Sequence, residues 1–112
     1  MEKEQTLELI RREFATAAYA ARSDNEGMVR VCARRASGAA VTFWLQSHER
    51  VGWGNDAMNQ LRNLAADRTI PQMVRDAAVR LSSRVNEQFT SPFPTDPVED
   101  SRCIINYLLE SS

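Results

Sequence analysis

Histidine and lysine are almost missing from this chain, which has one of each, His48 and Lys3. A lone imidazole makes a general base only with an orienting acid and a nucleophile beside it. Cysteine is scarce too. Cys32 and Cys103 stand far apart, form no CxxC pair, and have only His48 to complete a ligand set, so the spacing of a zinc site is absent. They read as small apolar side chains, reduced in a cytoplasmic protein. Glycine and proline number four each, and most sit where helices should begin or end. No long apolar run exists. The longest nearly uncharged stretch, Ala36 to Ser47, is too short to cross a bilayer. The opening Met1-Glu2-Lys3-Glu4-Gln5 is charged, unlike a secretory leader. These absences point to a cytoplasmic protein without membrane contact. P-loop, GxGxxG, nucleophile-elbow, paired-carboxylate and zinc patterns are all lacking, so neither a cofactor nor a metal is expected.

What is present is the balance of a globular domain. Of 112 residues, 43% are hydrophobic and 26% charged, far from the charge-rich composition of disorder. That length suits one domain with one core, spanning 1–112. A net charge of −1 gives no global pull toward nucleic acid or an anionic surface. A local basic face stays open as a reading. Every basic residue but Lys3 is arginine, whose planar fork suits carboxylates and phosphates, although genome base composition produces the same bias.

Helical periodicity runs almost throughout, without internal repeats. A first helix is expected from Lys3 to Arg22, with Leu7, Ile10, Phe14, Ala17 and Ala21 on one stripe. Ser23 and Glu26 read as a capping box for a second helix reaching about Ser47. Its apolar positions include Met28, Cys32, Ala36, Ala40 and Phe43, with Val29, Ala33 and Trp44 beside them. The small residues from Ala33 to Ala40 allow close helix approach and mark it as central. His48 to Asn55 is a loop. Asn55 is the expected cap of a third helix ending near Asp67. A fourth begins at Thr69-Ile70-Pro71-Gln72, with Pro71 in its first turn. Val74, Ala77, Ala78, Leu81 and Val85 face inward, and Asp76 pairs with Arg80 outside. Phe89 to Thr95 cannot continue a helix. Asp96-Pro97-Val98-Glu99 restarts one, carrying Val98, Ile104, Ile105, Leu108 and Leu109. The fold class is all-α, an up-and-down bundle of about five helices.

Few residues stand out as chemistry. His48, with Glu49 beside it, is a lone base without a nucleophile, or simply a surface residue at a helix end. Arg30, Arg34 and Arg35 form an anion or RNA clamp, or pair with acids such as Asp96, Glu99 and Asp100. Arg62 and Asn63, with Asp67 and Arg68 further on, form a polar interface cluster or a solvated face. Trp53, between Gly52 and Gly54, is a candidate interface anchor or ligand lid; the alternative is that it folds back onto its own core. Phe89 and Phe93 either bind a partner or staple the last crossover onto the bundle.

The order of Asn25-Glu26-Gly27, Val29 to Ala36, Val74 to Leu81, a proline-rich turn and Asp96 to Ser101 resembles HEPN domains, over roughly Ser23 to Leu109. The resemblance implies a small helical bundle acting as a dimer, in a family with many ribonucleases and toxins, often working with a nucleotidyltransferase. The family's nuclease signature is an Arg, commonly followed by a polar residue, and a His a few residues on. Arg62-Asn63 fits its first half. Asp67 and Arg68 stand where the His would be, and His48 precedes Arg62. Metal-independent RNA cleavage needs a group exchanging protons near neutral pH; an Asp serves only with a strongly raised pKa. The resemblance thus implies a non-catalytic interaction module, a homodimer with a possible protein partner. The alternatives are RNA binding or cleavage through Arg34, Arg35, Arg62 and Asn63, and small-ligand binding between helices with Trp53 as lid.

Overall fold

The computed structural model describes residues 2–83 and 96–111, which form five helices and no strand. α1 spans Lys3–Arg22, α2 Glu26–Trp44, α3 Ala57–Ala66, α4 Gln72–Ser82 and α5 Pro97–Glu110. The protein is an all-α helical bundle. Among the described residues no helix is long and apolar enough to cross a membrane.

α1 keeps its expected bounds, but the restart into α2 uses a different cap. The Ser23 hydroxyl donates backward to Tyr19 O (3.2 Å), so it closes α1. Asp24 takes a left-handed φ of 55°, a conformation that Asp tolerates better than most residues. Asn25 then caps α2, its Oδ1 accepting from the Met28 N–H at 3.1 Å. Val29 turns inward, while Met28, expected on the inner stripe, is 38% exposed in the first turn. At α3 the cap is Asp56, not Asn55: its Oδ2 accepts from Asn59 N at 3.0 Å. α2 ends at Trp44, short of Ser47, and Pro71 precedes α4 as its N-cap. Asp96 caps α5 through Val98 N at 3.0 Å, with Pro97 at the first helical position. Val85, Phe89 and Phe93 lie outside the described residues.

α2 is central, packed against all four other helices. Its small side chains make this possible. Cys32, Ala33, Ala36, Ser37 and Ala40 have no exposed surface. Gly38 faces the start of α3, where an added Cβ would stand 3.0 Å from Gln60 Oε1 and 3.1 Å from Ala57 Cβ. The missing side chain sets how closely α3 approaches. Gln60 is fully buried there, its Nε2 donating to Thr42 Oγ1 and Gly54 O, both at 2.9 Å. On the other flank α2 meets α5 through hydroxyls. Ser101 Oγ donates to Ala33 O at 2.9 Å and lies 2.8 Å from Ser37 Oγ, so these buried polar groups satisfy each other. Leu61, Leu64, Leu81, Ile104 and Leu108 fill the remaining core, each contributing about 1.5–3 kcal/mol by leaving water.

Candidate functional site

Arg30 and Arg34 lie one turn apart on α2 and meet the C-terminus of α4. That end carries unpaired carbonyls and the negative pole of the helix dipole. Arg34 Nε donates to Leu81 O (2.8 Å) and its Nη2 to Ser83 O (3.2 Å). Arg30 Nη2 donates to Arg80 O (3.1 Å) and to the same Ser83 O (3.2 Å). Two guanidiniums therefore share one carbonyl oxygen. Burial lowers the Arg34 pKa, and the charges of Arg30 and Arg62 lower it further. Arg62, on α3, is exposed but close enough for its charge to act on Arg34. The structure thus gathers Arg30, Arg34 and Arg62. Arg35 is exposed on a cleft of about 540 Å³, which it lines with Arg34, Glu13 and Gln60. Asn63 turns back onto its own helix, donating to Asn59 O at 2.8 Å.

None of Arg30, Arg34, Arg35 and Arg62 forms an ion pair with a described residue. The acids expected as partners are engaged elsewhere. Asp100 accepts from Arg80 Nη2 (2.9 Å) and Nε (3.1 Å), Glu99 pairs with Arg102 (3.3 Å), and Asp96 caps α5. Arg80 therefore crosses to α5 rather than pairing with Asp76, which instead accepts from Gln72 Nε2 at 2.8 Å. The nearly buried Asp100 carboxylate, with 10% of its side chain exposed, needs a cation more than Asp76 does on the wet face.

Trp53 is not presented to solvent as a lid or anchor. Gly52 and Gly54, at φ 81° and 62°, reverse the chain on either side of it and turn the ring inward. It is 6% exposed, with its ring 5.7 Å from that of Trp44, and does not line the 540 Å³ cleft. His48 stacks on the same Trp44 ring at 4.4 Å, nearly parallel, with Nδ1 3.2 Å from Trp44 O and 3.1 Å from Ser47 Oγ. Arg50, which no sequence pattern singled out, lies 5.1 Å from the Trp44 ring centroid and donates to Asp67 Oδ2 at 2.8 Å. Its partners are a ring before it and a carboxylate on the far side of α3, so nothing local in the sequence marks it.

Asp67 stands where the resemblance would require a histidine. Burial pulls its pKa up, but hydrogen bonds from Thr69 and Arg50 outweigh that and hold it below the usual carboxylate range. Thr69 supplies two of them to Oδ1, from N at 2.9 Å and from Oγ1 at 2.6 Å. A proton carrier near neutral pH needs the opposite shift. Its folded pKa lies below the unfolded one, so Asp67 stabilises the fold above the ordinary carboxylate pKa. That contribution is lost as pH falls through the lowered value. Asp67→Asn is expected to flatten the acid limb of stability: its urea midpoint should drop less than wild type's between about pH 6 and pH 3. An equal drop in both proteins would remove Asp67 from that account.

Compared with known families, curated proteins and solved structures, the chain matches none. Its site is therefore read from its own geometry. Among the described residues no group of three or more His, Cys, Asp and Glu side chains is placed to hold a metal. Both thiols are pushed up in pKa: Cys32 by burial and by Glu13, Cys103 by burial and by Asp100. Neither is primed as a nucleophile.

Proposed function

We propose that this chain is a non-catalytic, HEPN-like interaction module, working as a homodimer that engages a protein partner. One observation carries the non-catalytic part. The carboxylate in the place of the nuclease histidine is held ionised by Arg50 and Thr69. The only imidazole is stacked on Trp44, with Nδ1 engaged by a backbone carbonyl and a serine. Arg30 and Arg34, two of the candidate arginines, cap α4.

A second reading, RNA or anion binding, is favoured by the gathering of Arg30, Arg34 and Arg62 without an ion-paired acid among the described residues. One measurement separates the two: solution mass by light scattering, with and without a short RNA, at low and moderate salt. The interaction module gives a dimer whose mass ignores RNA. A complex that forms at low salt and dissociates steeply as salt rises would replace it with the second reading. RNA cleavage abolished by Arg62→Ala would overturn the non-catalytic assignment.

A further inference from the structure

α1 is a 20-residue helix whose main neighbour in the bundle is α2. Thr6, Ile10, Ala17 and Ala20 are its buried face. The opposite face carries Glu4, Glu8, Arg11, Arg12, Ala15, Tyr19 and Arg22, all exposed. Its two halves differ in shape and charge. The N-terminal half holds a shallow groove lined by Glu4, Gln5, Glu8, Leu9 and Arg12. The C-terminal half projects Tyr19, 68% exposed, and Arg22. Between them Ala15 offers no bulk to keep another helix away.

A groove with acids at one end and an aromatic knob with a cation at the other complement each other only when a second copy runs antiparallel. A two-fold axis through Ala15 sets residues whose numbers sum to 30 opposite one another, because an isologous contact uses the same patch twice. Glu8 then faces Arg22 of the second copy. Arg11 faces its Tyr19, where guanidinium and ring attract. Each Arg22 enters the other copy's groove beside Glu8, and each Tyr19 lies over Arg11 at the groove's rim. Among the described residues of the single chain Glu8 pairs only with Arg11 (3.1 Å) and Arg12 (3.7 Å), with 56% of its side chain exposed, so its carboxylate has room for another cation. We infer that a second copy of this chain docks on the outer face of α1, antiparallel and centred on Ala15, with Tyr19 and the Glu8–Arg22 pairs as its specificity. This rests on the homodimer reading above and names its surface.

The test is the dimer dissociation constant of the full chain and its variants, by analytical ultracentrifugation, with far-UV circular dichroism to confirm folding. Tyr19→Ala, Glu8→Arg and Arg22→Glu are each expected to weaken the dimer by about tenfold or more. The double reversal of Glu8→Arg with Arg22→Glu restores it to near wild type. All these positions are exposed, so the helix survives each change. A dimer indifferent to Tyr19→Ala and to the single reversals overturns the α1 surface and leaves the homodimer reading standing. A wild-type chain that stays monomeric up to about 100 µM overturns both.

Discussion

Trp44→Ala is expected to lower the free energy of unfolding by about 3–5 kcal/mol, read as a fall in the denaturant midpoint at constant slope. The indole is 2% exposed and joins three groups at once: the His48 ring stacked on it, the Trp53 ring tilted against it, and the Arg50 guanidinium over it. Removing it opens a hole at the end of α2 and takes away the surface against which residues 48 to 53 are seated. The link from Arg50 to Asp67 should loosen with it. Trp44→Phe is the informative companion. The Trp44 Nε1–H is buried with no hydrogen-bond partner among the described residues, so phenylalanine deletes no hydrogen bond. It should cost less than about 2 kcal/mol. Similar losses for Ala and Phe would mean that the indole nitrogen, not the packed ring, holds the loop.

The second large effect is Arg34→Met, expected to cost about 2 kcal/mol, while Arg35→Met and Arg62→Met stay within about 0.5 kcal/mol. Methionine keeps the apolar stem and removes the charged fork. At position 34 that leaves the Leu81 carbonyl without its 2.8 Å donor and, among the described residues, Ser83 O with only Arg30. Arg35 and Arg62 are exposed and close no helix end. Thermal melts of the three variants side by side decide it. Equal and small losses would show that α4 does not depend on this cap, and the arginines would then be free to act as the anion site of the second reading.

The helices were legible because their signals are local. The Leu7, Ile10, Phe14 and Ala17 stripe, the small-residue run in α2 and the Asp96-Pro97-Glu99 start are each written within one helix, and each sits there as expected, except that the stripe ends on Ala20 while Ala21 is exposed. Caps were less legible. Ser23 and Asn25, like Asn55 and Asp56, compete within one or two positions of each other, and which side chain reaches a free N–H depends on backbone angles that residue type does not set. The candidate site was legible as a set of arginines but not as a geometry. Arg30 and Arg34 donate to main-chain carbonyls of α4, and a carbonyl has no letter in the sequence. Arg80 bypasses the acid one turn away for one on another helix, a choice made by burial rather than spacing. Trp53 between two glycines reads equally as exposed or folded back until the loop is placed.

The hydroxyl seam between α2 and α5 bears on how the chain assembles. Ser101 and Ala33, joined across it, are 68 residues apart in sequence. Closing a loop of that length removes chain entropy before the contact returns any stabilisation. The pairs α1–α2 and α3–α4 are linked by short turns and carry no such delay. Docking of α5 against α2 is therefore expected to be a late step of folding. Weakening the seam at Ser37 or Ser101 would mainly hasten the escape of α5 from the finished bundle and leave the rate of reaching it little changed.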